Sequence, residues 1–183
     1  LRLFRGKGYE GTSLRELAAA CKMSVGSIYN YVGTKQDILY LIMEEFTVRP
    51  PDLRGELLKY YEKGEVAAAL KEFIHQFFLI SNRHQEYILF TYQEARHLGT
   101  DARSTIRKVA DEDMAILEEL LRLGMKTGEF VVNNPTVTAH SIISLAHMWA
   151  IRRRFLKDKC NIDEYIETVT DMILKSVTPL NKT

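Results

Sequence analysis

The stretch that decides the fold is residues 8–39, GYEGTSLRELAAACKMSVGSIYNYVGTKQDIL. Ser13 and Glu16 stand three residues apart, as in a capping box, where each side chain accepts a backbone N–H at a helix start. This pair predicts a helix over residues 14–21. Thr34 resembles a second N-cap and predicts another helix over residues 35–46.

Between these two helices the sequence predicts a much shorter one, over residues 25–31. So short a helix with few strong helix formers has little intrinsic stability and must be held by packing. Ile28 and Val32 are the apolar residues that can anchor it to its neighbours. The other side chains are small or carry hydrogen-bonding groups, and they suit a surface that enters the major groove of DNA.

The rest of the chain is helical almost throughout, with no strand alternation and no internal repeat. Apolar residues recur at helical spacing, and Pro135 suits the first position of a helix. The helices predicted beyond residue 46 are 65–81, 85–97, 101–126, 135–155 and 162–177. The fold class is therefore all-α, with an N-terminal three-helix domain over residues 1–46 and a larger C-terminal helical domain over residues 47–183. The boundary falls near Arg49-Pro-Pro-Asp52. We expect the first helix to be truncated, because the sequence begins inside an apolar pattern.

Composition excludes several classes of protein. Of 183 residues, 46% are hydrophobic and 27% are charged, which is ordinary for a globular chain. The uncharged apolar run at residues 141–151 is too short to cross a bilayer, which takes about 20 residues. Two cysteines cannot build a disulfide framework, and no secretory signal opens the sequence. We expect a cytoplasmic protein without a membrane partner.

Charge is distributed unevenly along the chain. Residues 1–35 carry six basic and two acidic side chains, whereas the remainder carries 19 basic and 22 acidic ones. A basic end on a slightly acidic body is a hint of a polyanionic partner. Alone the hint is weak, because imbalances of this size are common in solvated surfaces.

Residues 8–39 resemble the DNA-binding segment of the TetR family of bacterial transcriptional regulators. The matching residues are Gly8-Tyr9, Thr12-Ser13-Leu14, Leu17-Ala18, Cys21, Met23-Ser24, Gly26-Ser27-Ile28-Tyr29, Tyr31-Val32, Thr34-Lys35 and Ile38-Leu39. The resemblance implies a helix-turn-helix domain followed by a helical domain that binds a ligand and dimerises. It covers about a fifth of the chain, and the helices that follow carry no motif of their own.

The resemblance also implies roles for single residues. The positions that face base edges are Val25, Gly26, Ser27, Tyr29 and Asn30. The positions that touch the phosphate backbone are Arg15, Ser24, Tyr31 and Lys35. Asn30 and Tyr31 occupy positions that vary within the family, so the operator sequence does not transfer. Cys21 is expected to be a quiet thiol in the core, with a redox switch as the alternative.

A candidate effector site is less sharply defined. Aromatic and methionine side chains, each more typical of a core, are together numerous enough to line an apolar cavity: Phe73, Phe77, Phe90, Tyr92, Met114, Met148 and Trp149. The run Arg152-Arg153-Arg154 favours a solvated helix end but leaves an anionic ligand open. We therefore expect a small lipophilic or acyl-CoA-like effector.

No pattern supports catalysis or a cofactor. The sequence has no nucleophile elbow, no P-loop and no glycine-rich phosphate cradle after a strand. Its five histidines lack metal-ligand spacing, although His140 and His147 lie seven residues apart on one predicted helix. We predict neither catalytic residues nor a metal.

These observations predict a one-component transcriptional regulator, a repressor that a small effector releases from DNA. It would bind a palindromic double-stranded operator as a homodimer, paired through the last two helices, with Ile166 and Val169 at the interface. An effector would change the tilt of the helix over residues 35–46. The alternative is a helical ligand-binding or interaction module with a vestigial helix-turn-helix, and the salt dependence of DNA binding separates the two.

Overall fold

The protein is described by a computed structural model over residues 2–46, 60, 63–97 and 99–179. Within these ranges the regular structure is entirely helical, which confirms the all-α fold class. The helices are α1 (Arg2–Lys7), α2 (Leu14–Ala20), α3 (Val25–Tyr29), α4 (Lys35–Phe46), α5 (Val66–Arg83), α6 (Gln85–Glu94), a 3₁₀ turn (Ala95–His97), α7 (Thr100–Thr127), α8 (Pro135–Ile151), α9 (Arg153–Leu156) and α10 (Ile162–Val177). The proline-containing boundary predicted near residues 49–52 lies outside the described residues. Among the helices described, none has the length and apolar character that crossing a membrane requires.

Two predicted helices are interrupted near their C-terminal ends. The one expected over residues 85–97 changes to a 3₁₀ turn at Ala95–His97. The one expected over residues 135–155 is α8 followed by the separate short helix α9, because the chain leaves helical geometry at Arg152 (φ −97°, ψ 10°). Neither glycine nor proline marks these breaks, so the sequence carries no local signal for them.

Helix starts follow the predicted caps. The Ser13 hydroxyl accepts the Glu16 backbone N–H (3.2 Å), and the Glu16 carboxylate accepts the Ser13 N–H (2.9 Å). A hydrogen bond from Lys7 and those from Ser13 lower the pKa of Glu16 to about 2. Asn161 and Glu164 form a second capping box at the start of α10. Both helix starts therefore satisfy N–H groups that would otherwise lack a partner.

Contacts divide the chain into two compact units. Unit 1 comprises Leu1–Arg49 and Glu86–Val109, and unit 2 comprises Pro50–Gln85 and Ala110–Thr183. The unit that holds the helix-turn-helix thus also holds most of α6 and the first part of α7. The division into functional domains at residue 46 stays a prediction.

The core of unit 1 joins α1 to α6. Phe4 and Phe90 are fully buried, with ring centroids 5.8 Å apart, and Tyr9 stacks on Phe4 at 5.9 Å. Arg5 forms an ion pair with Glu86. Burying a phenylalanine contributes about 1.5–3 kcal/mol, whereas an exposed ion pair contributes at most about 1 kcal/mol. The aromatic contact therefore contributes more than the ion pair to holding α1 against α6.

The core of unit 2 is built on α5, which packs against α8 and α10. Its first turn is capped from a distance. Glu65 makes no side-chain cap, and the Glu129 carboxylate accepts the N–H groups of Val66 (3.2 Å) and Ala67 (2.9 Å) instead. This acceptor lies more than 60 residues along the chain, where α7 has ended. One carboxylate thereby connects the two sequence segments that make up unit 2.

A histidine on α8 ties the stability of unit 2 to pH. The ring of His147 lies against Phe77, with centroids 6.2 Å apart. Burial, with a smaller contribution from the charge of His140, lowers the pKa of His147 from 6.5 to about 4. In the unfolded chain the imidazole binds a proton below about pH 6.5, whereas in the folded chain it stays neutral until about pH 4. Folding stability must therefore fall as the pH drops through this window.

We predict that His147→Gln removes much of this acid sensitivity. Between pH 7.5 and pH 5 the parent protein should lose about 2 kcal/mol more unfolding free energy than the variant, as measured by urea denaturation at each pH. His140→Gln is the matched control on the exposed side of the same helix, and its pH dependence should stay close to the parent's. Equal losses in the parent and in His147→Gln would contradict the assignment.

Candidate nucleic-acid interface

Helix α3 is a five-residue helix that turns most of its side chains outward. Ile28 and Val32 are each 6% exposed and attach it to the core of unit 1. By contrast, Tyr29 is 53% exposed and Tyr31 is 77% exposed. Two neighbouring aromatic rings that each carry a hydroxyl group offer another molecule both apolar surface and hydrogen bonds.

The start of α3 brings together two residues predicted to touch DNA. The Ser24 hydroxyl accepts the backbone N–H of Ser27 (3.0 Å), and the two hydroxyl oxygens lie 2.8 Å apart. Ser24 therefore caps the helix while keeping an exposed side chain. The shared hydrogen bond fixes both hydroxyls in one orientation at the surface.

Gly26 and Asn30 complete the outward face. A Cβ atom built on Gly26 would meet only the Ser24 hydroxyl, at 3.8 Å, so nothing within the protein requires a glycine there. Asn30 is exposed and caps the C-terminal end of α3 through its backbone N–H. Val25 is partly exposed next to them. Gly26 therefore leaves its backbone open to close approach by another molecule.

The two cations predicted to bind phosphate differ in their surroundings. Arg15 is exposed on α2. The Lys35 ammonium instead donates to the backbone oxygens of Tyr9 (2.7 Å) and Thr12 (3.1 Å), and it lies 4.1 Å from the centre of the Tyr9 ring. Two of its three N–H groups are thus used inside the protein, which leaves one for a phosphate.

The role of Lys35 within the fold is the main feature of this surface that the sequence missed. A lysine at the start of a helix is unfavourable with the helix dipole, and that was its only local signal. The carbonyl oxygens that compensate come from a loop more than 20 residues earlier. Lys35 therefore links the start of α4 to the loop between α1 and α2.

Helix α4 begins on a second network that orients this surface. The Asp37 carboxylate accepts the backbone N–H groups of Gly33 and Thr34, both at 2.8 Å, and Thr34 in turn accepts the N–H of Asp37. The hydrogen bond from the Thr34 backbone is the main cause that lowers the pKa of Asp37. The turn between α3 and α4 is thereby held in one conformation.

A cluster around the 3₁₀ turn supports the other side of the loop between α1 and α2. The rings of Tyr9 and His97 stack at 5.0 Å, and His97 Nδ1 lies 3.2 Å from the Glu10 carboxylate. Burial is the main cause that raises the pKa of Tyr9. No sequence motif links residues so far apart, so this support was not predicted.

The expectation that Cys21 is a core residue is wrong. Cys21 is exposed, whereas Leu17 and Ala18 of the same helix are buried. Helix α2 ends at Ala20, so Cys21 is its C-terminal cap and lies beyond the buried stripe that it was assigned to.

The residues predicted to bind an effector do not form one cluster. Phe73, Phe77 and Met114 lie in or against the core of unit 2. Phe90 belongs instead to the core of unit 1, where it contacts Phe4, and Tyr92 is 57% exposed in that unit.

The other two effector candidates stand next to each other on α8. Trp149 is buried and donates from Nε1 to Asn82 Oδ1 (2.7 Å), whereas Met148 is 36% exposed. Helical spacing identified apolar positions but did not indicate which unit or which face each one occupies.

Two family models match the chain. Residues 1–40 match the model described as bacterial regulatory proteins, tetR family, and residues 63–152 match the model described as tetracyclin repressor-like, C-terminal domain. The HTH-type transcriptional regulator HbdR of Aromatoleum sp. (strain CIB) is 23% identical over 176 residues, which cover 91% of this chain and 72% of HbdR.

Solved structures show the same architecture. PfmR of Thermus thermophilus, a TetR family transcriptional regulator, superposes with a TM-score of 0.72 at 25% identity, over 95% of this chain and 93% of PfmR. AibR, solved with isovaleryl coenzyme A and operator DNA, has a TM-score of 0.69 at 21% identity, over 93% of this chain and 91% of AibR. The likeness to AibR concerns the fold alone. With an outward helix-turn-helix and both family models matched in order, the chain is a member of the TetR family, whose proteins are transcriptional regulators and not enzymes.

Proposed function

We propose that the protein is a repressor that binds a palindromic operator as a homodimer and leaves it when a small effector binds. The observation that carries this proposal is the outward face of α3, where Tyr29, Asn30 and Tyr31 are exposed while Ile28 and Val32 are buried and Val25 packs partly against the core. We place its action in the cytoplasm, where operator DNA is found.

In this proposal α3 enters the major groove. Asn30 supplies an amide that can bond an adenine, Val25 can contact a thymine methyl group, and Gly26 allows the backbone to approach the bases. Arg15, Ser24, Tyr31 and the free N–H of Lys35 bind phosphates, which position the helix without reading the sequence. Specificity therefore rests on a small number of base contacts in each half-site.

A dimer is needed because one five-residue helix buries too little surface for tight binding. The last two long helices, α8 and α10, remain our proposed interface, but not through the residues first expected. Ile166 and Val169 are 5% and 6% exposed within a single chain, since they pack in the core of unit 2. The exposed apolar side chains are Val137 and Met148 on α8 and Met172 on α10, and we propose that these face the partner.

The effector we propose is lipophilic, with an acyl-CoA as the leading class. The interior of unit 2 is rich in apolar rings, with Phe73 and Phe77 stacked at 5.6 Å beside a histidine whose lowered pKa keeps it neutral near pH 7. AibR was solved with an acyl-CoA and operator DNA, which supports this class for a protein of the same fold.

We propose that the response to an effector is transmitted along helices that belong to both units. Helix α7 continues from unit 1 into unit 2, and α6 begins at Gln85, where one unit ends and the other starts. Phe90 of α6 packs against Phe4 of α1. In this proposal a shift of α6 therefore moves α1, and with it the helix-turn-helix and α4. A coupling free energy of about 1–3 kcal/mol is enough for such a switch.

Gly26→Ala separates DNA binding from folding. Because the added methyl group meets only open space and the Ser24 hydroxyl, unfolding free energy should stay unchanged or rise by up to about 1 kcal/mol. Affinity for an operator selected from random duplexes should fall at least about tenfold, measured by fluorescence anisotropy. Gly6→Ala, also in open space, is the control and should bind like the parent. Parent-like binding by Gly26→Ala would contradict the close approach.

Base readout and phosphate contact should respond differently to substitution. Asn30→Ala should relax the preference at one operator position, at a cost of about 1–3 kcal/mol for the preferred base. Arg15→Ala should weaken all duplexes about equally and reduce the salt slope by about one. Affinities for a panel of single-base variants at several salt concentrations test both. If both proteins matched the parent, the contact assignment would be wrong.

Met172→Lys should yield monomers by light scattering, because it places a charge in the proposed interface while leaving the core of each chain intact. Met125→Lys, at a residue 42% exposed on α7, is the matched control and should remain dimeric. An unchanged dimer mass for Met172→Lys would refute this interface.

A further inference from the structure

The segment 152–159, RRRFLKDK, is a concentrated positive patch on unit 2. It carries five basic side chains and a single acidic one, Asp158. In the rest of unit 2 the balance is reversed, with nine basic and fifteen acidic side chains. The segment is therefore a cationic region within an otherwise acidic unit.

Arg153 holds this segment against α5. Its guanidinium donates to Asn82 Oδ1 (3.2 Å) and to Gln85 Oε1 (3.1 Å), and it lies 5.5 Å from the Trp149 ring. Trp149 donates to the same Asn82 oxygen. One arginine of the run thus has a structural role and fixes the position of its neighbours.

The other four cations of the segment are exposed to solvent. Phe155 is 54% exposed, with Lys159 Nζ 3.4 Å and Arg152 Cζ 5.3 Å from its ring centre. Arg154 and Lys157 are exposed as well. Over the ranges that the structure describes, none of these four cations has a carboxylate within ion-pair distance. Four unpaired cations on eight residues are the donor set that phosphate groups prefer.

We propose that segment 152–159 binds the phosphates of a nucleotide-bearing effector, the class to which the coenzyme A part of an acyl-CoA belongs. This inference rests on the proposed function, which requires an effector. The segment is short enough for the two or three phosphates of one nucleotide. A DNA duplex lying along unit 2 would also meet its acidic surface, and like charges repel.

The segment is also connected to the interior of unit 2. Trp149 lies 5.0 Å from the ring of Tyr165, which lies 6.1 Å from Phe78 of the core. Arg152 and Arg154 flank Arg153, which contacts the Trp149 ring. A phosphate bound to these two arginines therefore lies close to side chains that reach the interior of unit 2.

The test is calorimetric titration of the full chain with coenzyme A, adenosine 3′,5′-bisphosphate and pantetheine. The first two should bind with saturation, and pantetheine, which lacks phosphates, should not. The double variant Arg154→Gln/Lys157→Gln should bind coenzyme A at least about tenfold more weakly. Lys71→Gln/Lys126→Gln removes the same charge from exposed positions elsewhere in unit 2 and should bind like the parent.

Absence of binding by coenzyme A and the bisphosphate would overturn the proposal, as would equal losses in the two double variants. The operator affinity of Arg154→Gln/Lys157→Gln, without effector, should match the parent's at every salt concentration. A smaller salt slope would show that the patch binds DNA instead and would also overturn it. Failure of the regulator proposal is separate, since it would appear as a parent protein that selects no operator.

Discussion

A five-residue helix cannot stabilise itself in water, so the surface that we propose binds DNA depends on the contacts that hold α3 to the core. Ile28 and Val32 are buried, and the Ser24 and Thr34 caps satisfy the helix starts on either side. Lys35 then joins α4 to the loop before α2 through two carbonyl oxygens. Ile28 and Val32 face the core, whereas Tyr29, Asn30 and Tyr31 are exposed. The same packing that makes the helix stable makes its outward residues available.

The support for this surface extends well beyond the helix-turn-helix. Phe90 and His97, from α6 and the 3₁₀ turn, pack against Phe4 and Tyr9. A segment some 80 residues later in the chain is therefore part of the same compact unit. Helix α7 belongs to both units, since it begins in unit 1 and ends in unit 2. The two units also differ in charge. Unit 1 is slightly basic, whereas unit 2 is acidic apart from segment 152–159.

Local patterns in the sequence predicted the helices and their starts, because capping and helical periodicity act over a few residues. They could not predict what covers each apolar stripe. Ile166 and Val169 lie on such a stripe, and both are buried in the core of unit 2 within a single chain. Phe90 was placed with the effector site, although it packs in unit 1. The exposure of Cys21 depended on a helix ending one residue early. The differences at Ile166, Val169 and Phe90 arise from tertiary contacts between distant segments, whereas the difference at Cys21 is local.

Hydrogen exchange of the full protein, with and without a selected operator, tests the central claim most directly. Amide exchange in residues 24–31 should slow when operator is added and stay unchanged with a scrambled duplex at the same concentration. Such protection would show that α3 is the element that meets sequence-specific DNA. Unchanged exchange in residues 24–31, with protection appearing elsewhere in the chain, would contradict the account.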